Sequence, residues 1–271
     1  MKEITIVFPF KTKSISVTGN KCSFNCSHCG RKYLHSMESI TDTIKLGKRD
    51  FTSVLISGGM NKNGYVPLDE HEDKIKKIKE LGLKINIHTG IMPKDKLLKV
   101  CPLADKISFD FTSDKETISK VYHSNFTAKD YITTFENIRE IKEPEVHVTL
   151  GLLEGKIKGE YNSIDILSKY DLKNLIFLVF IPTKGTLFEK CSPPSLDEID
   201  VFFNYARKKM PNTDFILGCM HPRGKYISSL EDICVKYEFK KITMPSSNFE
   251  NKMKKLNITV KKEEECCIIW K

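Results

Sequence analysis

Short runs rich in β-branched and aromatic residues recur along the chain, separated by longer polar stretches whose apolar residues fall at helical spacing. The runs predict strands at 14–18, 54–57, 85–88, 106–111, 146–152, 175–182, 214–220 and 240–245. The stretches between them predict helices, the clearest at 71–81, 129–141, 160–169, 196–209 and 229–236. Strand runs this apolar suit a parallel sheet covered on both faces, and the alternation implies βαβ crossovers. Eight such units predict an α/β fold, a (β/α)8 TIM-like barrel that is complete or nearly complete. It should occupy residues 1–256, with residues 257–271 as a short tail that caps it.

The active site of such a barrel lies at the C-terminal ends of its strands. Polar or special residues follow almost every predicted strand: Cys22 after the first, Ser57, Gly58 and Gly59 at the second, His88 at the third and Asp110 at the fourth. Pro182 with Thr183-Lys-Gly-Thr186 follows the sixth, and Cys219, His221 and Arg223 follow the seventh. Each alone has an ordinary turn explanation. Six together on one face predict a site.

Composition narrows the class. The chain has 271 residues, 40% of them hydrophobic, enough for one large core. Its longest apolar run, residues 175–181, is far too short to span a membrane, and the opening MKEITIVFPF has no cleavable signal pattern. Nine cysteines, an odd number clustered on loops, favour metal ligation in a reducing cytoplasm over disulfides. The net charge of +9 describes a lysine-rich solvated surface or an acidic partner, and without an Arg-rich tract nucleic acid is not expected.

Three thiols change the picture most. Cys22, Cys26 and Cys29 fall in Thr18-Gly-Asn-Lys-Cys-Ser-Phe-Asn-Cys-Ser-His-Cys29, a C-x3-C-x2-C run after the first predicted strand. Three cysteines on one short loop can ligate three irons of a [4Fe–4S] cluster and leave the fourth open. A zinc ribbon instead pairs Cys-x-x-Cys knuckles, and a ferredoxin loop supplies four thiolates. The spacing resembles the signature of the radical S-adenosylmethionine (SAM) superfamily. That resemblance implies a [4Fe–4S] cluster on Cys22, Cys26 and Cys29 with SAM on its open iron. It further implies a reductant such as ferredoxin and a SAM-derived radical that abstracts hydrogen from an unactivated carbon. It also implies SAM-binding positions: His28, whose backbone borders adenine; Ser57, Gly58 and Gly59, although Met60 replaces the family's acidic residue; His88 and Asp110 toward ribose or carboxylate; and Pro182. Residues 151–160 resemble the fifth-strand glycine motif, but Glu160 is displaced and suits a helix start, where an acid favours the dipole.

The later chain resembles narrower groups. Pro182-Thr-Lys-Gly-Thr186 followed by Pro193-Pro194 resembles the biotin synthase branch. Leu217-Gly-Cys-Met-His-Pro-Arg-Gly-Lys-Tyr226 with the Cys266-Cys267 tail resembles the archaeal two-component lipoyl synthases. This second resemblance implies sulfur insertion into an octanoyl group on a lipoyl-carrier protein or peptide, with a paralogous partner enzyme. The sulfur would come from a second, sacrificial iron–sulfur cluster on Cys219, Cys266 and Cys267. Cys267 also reads as a residue buried against Ile268 and Trp270. Cys101 and Cys191 are weaker ligands, and Cys234 reads as core. His123, His147 and His221 are available as catalytic groups, but radical hydrogen abstraction needs no general base. Two alternatives stay open: a single-cluster radical SAM reaction (methylation, cofactor maturation or a biotin-synthase-like step) or a non-catalytic iron–sulfur protein.

Overall fold

In a computed structural model, residues 1–46 and 50–269 are described. Trp270, expected against Cys267, and Lys271 at the end of the expected tail lie outside them. Eleven strands form one sheet: β1 (Glu3–Val7), β2 (Thr12–Ser16), β3 (Glu38–Ser39), β4 (Ser53–Ser57), β5 (Lys84–His88), β6 (Lys106–Asp110), β7 (Glu145–Leu150), β8 (Asn174–Val179), β9 (Asp214–Leu217), β10 (Lys241–Thr243) and β11 (Thr259–Glu263). Their order is β11-β1-β10-β9-β8-β7-β6-β5-β4-β2-β3, with every neighbouring pair parallel. The helices are α1 (Ile40–Leu46), α2 (Glu72–Glu80), α3 (Lys94–Val100), α4 (Lys115–Tyr122), α5 (Ala128–Arg139), α6 (Gly159–Leu167), α7 (Leu196–Lys209), α8 (Lys225–Lys236) and α9 (Phe249–Lys255).

The eight expected strands are present as β2 and β4 to β10. The complete barrel is corrected: the ring is not closed by a strand ladder among the described residues. β1 lies at one flank of the sheet and β2 at the other, yet only residues 8–11 connect them. A link that short reaches roughly 17 Å, so the sheet must curl until its flanks meet. Single bonds bridge the resulting seam. Phe8 N donates to Glu263 O (2.9 Å) and Lys11 N to Glu264 O (2.8 Å). Cys266 N donates to Thr12 Oγ1 (2.6 Å).

The strands are not uniformly apolar, which corrects the basis of the barrel expectation. Their outward residues, among them Ile15, Val54, Ile87, Phe109, Val148, Phe177 and Leu217, join one large core with the helix residues Ile75, Phe135, Ile164, Phe202 and Leu230. Alternate residues point into the curl, and there β5 to β8 carry Asn86, His88, Lys106, Ser108, Asp110, Glu145, His147 and Asn174. The opposite inner wall is apolar: Val7, Ile176 and Ile216, with Leu178 beside them, pack on Cys267 and Ile268 of the tail. The interior of the curl is therefore amphipathic, its polar side open and its apolar side filled by the tail.

The tail sets the floor of this hollow. After β11, Glu265 accepts hydrogen bonds from Thr52 Oγ1 (2.7 Å) and Lys84 Nζ (2.7 Å), at the N-terminal ends of β4 and β5. Lys106 with Glu145 (2.5 Å) and the buried Lys241 with Glu263 complete an ion-paired lower layer. No helix among the described residues is long and apolar enough to cross a membrane.

Candidate active site

The thiol loop sits over the C-terminal ends of β2 and β4, and its position depends on a glycine. A Cβ on Gly59 would lie 2.0 Å from Lys21 O and 2.5 Å from Cys22 Cβ, so the loop can rest there only because residue 59 has no side chain. Thr18 Oγ1 accepts from Gly59 N (2.7 Å), and Ser23 N donates to Met60 O (2.7 Å), stitching the loop to the extension of β4. On its other side Ser27 N donates to Val121 O (2.8 Å) and Ser27 Oγ to Lys120 O (2.7 Å), at the end of α4. His123, available in sequence as a catalytic group, meets Ser27 Oγ at 3.1 Å through Nε2. The loop after β8, which holds Pro182, closes a third side. Phe188 N donates to Ser27 O (3.1 Å), and the Tyr33 hydroxyl lies 3.3 Å from Thr183 Oγ1.

Within the loop, Cys26, His28 and Cys29 bring their ligand atoms within 4.8 Å of one another. Cys26 and Cys29 share a hydrogen bond, which pushes the Cys26 thiol up and pulls the Cys29 thiol down, with His28 further favouring the Cys29 thiolate. Cys22 is half-buried on the same loop. His28 Nδ1 is buried with no hydrogen-bond partner, its ring 6.0 Å from Tyr122 and 6.2 Å from Tyr33.

A second polar group lies on β5, β6 and β7. Burial most strongly raises the phenols of Tyr122 and Tyr131, and the carboxylate of Asp110 and the sulfur of Cys26 raise both further. Asp110 and His88, the last residues of β6 and β5, converge with His147, which lies mid-strand in β7 level with Asp110, their ligand atoms within 4.8 Å of one another. His88 Nδ1 is 3.7 Å from Asp110 Oδ2, and the two imidazoles stand edge to face at 5.6 Å. His147 is 8% exposed, and burial lowers its pKa to about 4, keeping it neutral. Below them Asn86 and Ser108 bond each other (3.0 and 3.1 Å).

A third group faces the apolar wall. Cys219, two residues beyond β9, is solvent-accessible, and its thiol is pushed up to about 11 by the surrounding protein and then by Cys266. Cys266 and Cys267 share a hydrogen bond that lowers the first and raises the second, and Cys267 also feels Cys219. His221 belongs to the scaffold. Fully buried, it lies 2.9 Å from Thr243 O through Nε2 and 3.2 Å from Pro222 O through Nδ1. Glu160 is also structural, accepting from Gly151 N (2.7 Å) and Lys158 N (2.9 Å) at the start of α6. Cys101 and Cys234 are buried in the core, and Cys191 packs beside Leu152 and Phe188. Lys184 and Lys225 are exposed.

A curled parallel sheet that carries three thiols on the loop after its first inner strand, seated on a Gly-Gly step and opening onto a polar hollow, defines an iron–sulfur protein of the α/β barrel type. Residues 16–167 match the family described as Radical SAM superfamily, and the chain belongs to that superfamily. Membership brings a [4Fe–4S] cluster and SAM as cofactors. The residues fit both. The three sulfurs share one loop, the Gly59 step would be filled by any side chain, and His28 sits among the sulfurs of Cys26 and Cys29.

The chain is 23% identical over 236 residues to the 7,8-didemethyl-8-hydroxy-5-deazariboflavin synthase of Archaeoglobus fulgidus, covering 76% of this chain and 70% of that one. Among solved structures it resembles methylornithine synthase (TM-score 0.61, 18% identity, 91% and 73% of the two chains). It also resembles the FeFe-hydrogenase maturase HydG of Carboxydothermus hydrogenoformans (TM-score 0.63, 16% identity, 89% and 58%). At these identities the structural likeness speaks to the fold.

Proposed function

We propose that this protein is a radical SAM enzyme that removes hydrogen from an unactivated carbon of a small substrate held in the hollow. One observation carries the reading: the thiol loop is tied to the extension of β4, at the same C-terminal edge of the sheet where β5 and β6 end in His88 and Asp110. When bound, the cluster and SAM supply a carbon radical strong enough to take such a hydrogen. Cys22, Cys26 and Cys29 hold three irons. The Gly58-Gly59 step orients the SAM amino group through main-chain carbonyls, since Gly59 N is already donated to Thr18. Tyr33, Tyr122 and the Pro182–Phe188 loop close the mouth against water. The polar wall seats a substrate head group, the apolar wall being covered by Cys267 and Ile268 of the tail.

A second reading is favoured by the tail, which brings Cys266 and Cys267 against Val7, Ile176 and Ile216 of the apolar wall, with Cys219 two residues beyond β9. With a sacrificial cluster there, the chemistry becomes sulfur insertion, and an octanoylated carrier protein with a paralogous partner enzyme becomes the natural assembly. The similar proteins named above carry other activities in their names, so this reading rests on the three thiols alone.

One experiment separates the two. Under dithionite, anaerobically reconstituted protein is expected to cleave SAM to 5′-deoxyadenosine, and Cys29→Ala to form none. Failure of the intact protein to cleave SAM would remove the enzymatic reading. The Cys22→Ala/Cys26→Ala/Cys29→Ala protein is expected to be iron-free. Retention of a whole cluster that disappears on changing Cys219 and Cys266 would make sulfur insertion the leading function.

A further inference from the structure

We propose that His88, Asp110 and His147 form a binding site for one divalent transition-metal ion, distinct from the iron–sulfur cluster, on the polar wall of the hollow. The three side chains come from consecutive strands, β5, β6 and β7, and Asp110 pairs directly opposite His147 in the β6–β7 register. Their ligand atoms lie within 4.8 Å of one another. Two imidazole nitrogens and a carboxylate oxygen bound at roughly 2.0–2.2 Å to a common ion fall within that spread.

The groups converge without satisfying one another. The His88–Asp110 separation of 3.7 Å is too long for a hydrogen bond. The His147 ring is more than nine-tenths buried, and its Nδ1 has no hydrogen-bond partner. The layer below behaves differently: Asn86 and Ser108 bond each other. A buried ring nitrogen such as His147 Nδ1 is costly to leave without a partner. Two histidines and one carboxylate are a donor set for Fe2+, Zn2+ or Co2+ rather than for Mg2+ or Ca2+, which take oxygen ligands. Three protein ligands also leave coordination positions open. Asp110 and His88 are partly exposed toward the hollow (43% and 28% of the side chain), so an oxygen or nitrogen of the substrate can complete the shell. The metal would then fix the substrate head group against the polar wall.

The test is Co2+ titration of the cluster-loaded, tag-free holoenzyme under anaerobic conditions, read by visible ligand-field absorption and by metal analysis. The expected result is one Co2+ per chain with nitrogen and oxygen ligation, unchanged in Cys219→Ser/Cys266→Ser and lost in His147→Gln. Asp110→Asn, a near-isosteric change at a part-exposed position, serves as a second variant should His147→Gln fail to fold. Its Co2+ binding is expected to weaken at least about tenfold while cluster content holds. Three results would overturn the proposal. These are no Co2+ bound beyond the cluster iron, thiolate charge-transfer bands that follow Cys219, or displacement of Co2+ by saturating SAM. The last would assign His88 and Asp110 to the SAM ribose or carboxylate instead.

Discussion

At the residue scale, the site is legible where a residue type has few other uses. Cys22, Cys26 and Cys29 could be assigned from spacing because three thiols in eight positions have little other purpose. Gly58 and Gly59 were weak as a motif and gain meaning only from the Cβ that Gly59 lacks, 2.0 Å from a carbonyl of the thiol loop. His147 was visible as a histidine but not as a member of a group, since its partners lie 37 and 59 residues earlier, at Asp110 and His88, and only strand register unites them. Gly59→Ala tests the close approach. It is expected to destabilise the protein by about 1–3 kcal/mol and to lower iron retention after reconstitution. Thermal unfolding and iron analysis measure both, and an iron-replete variant of unchanged stability would show that the loop does not rest on that step.

At the element scale, the eight inner strands could be read from their β-branched runs, and five of the helices from their apolar spacing. What the runs concealed is their two-sidedness. In β8, Phe177 faces outward, with ring centroids 5.1 Å from Phe203, 5.0 Å from Phe215, 5.9 Å from Phe202 and 5.8 Å from Phe239. Its neighbour Ile176 faces the hollow with Val7 and Cys267. A run such as Leu175-Ile-Phe-Leu-Val looks alike on both faces, so the amphipathic interior became visible only through strands such as Lys106-Ile-Ser-Phe-Asp, where alternation is clear. The two faces predict different consequences. Phe177→Ala should cost about 3–5 kcal/mol by opening the aromatic cluster, whereas Ile176→Val should cost about 0.5–1.5 kcal/mol. Denaturant unfolding compares them, and equal losses would contradict the placement of Phe177 between sheet and helices. The strands β1 and β11 escaped notice because β11, Thr259-Val-Lys-Lys-Glu, is short and charged and finds its place only by pairing with β1.

At the scale of the whole molecule, the parallel sheet follows from the alternation of elements, but its closure does not. Whether eight strands form a ring or a curl with a seam depends on what lies between the last strand and the first. Here that is β1, β11 and the residues that follow, joined to β2 by main-chain and side-chain bonds rather than by a ladder. The same tail carries Cys266 and Cys267 into the hollow and seals its floor through Glu265. One molecule therefore places a cluster-binding loop at the mouth, a polar triad on one wall and a thiol group on the other. The central claim is that the loop at the mouth holds a cluster with an open iron that takes SAM. Electron paramagnetic resonance of the dithionite-reduced protein, recorded with and without SAM, tests it most directly. A single reduced [4Fe–4S] signal that shifts when SAM is added, and is absent from the Cys22→Ala/Cys26→Ala/Cys29→Ala protein, is the predicted result. A cluster signal that ignores SAM, or one that survives loss of all three cysteines, would contradict it.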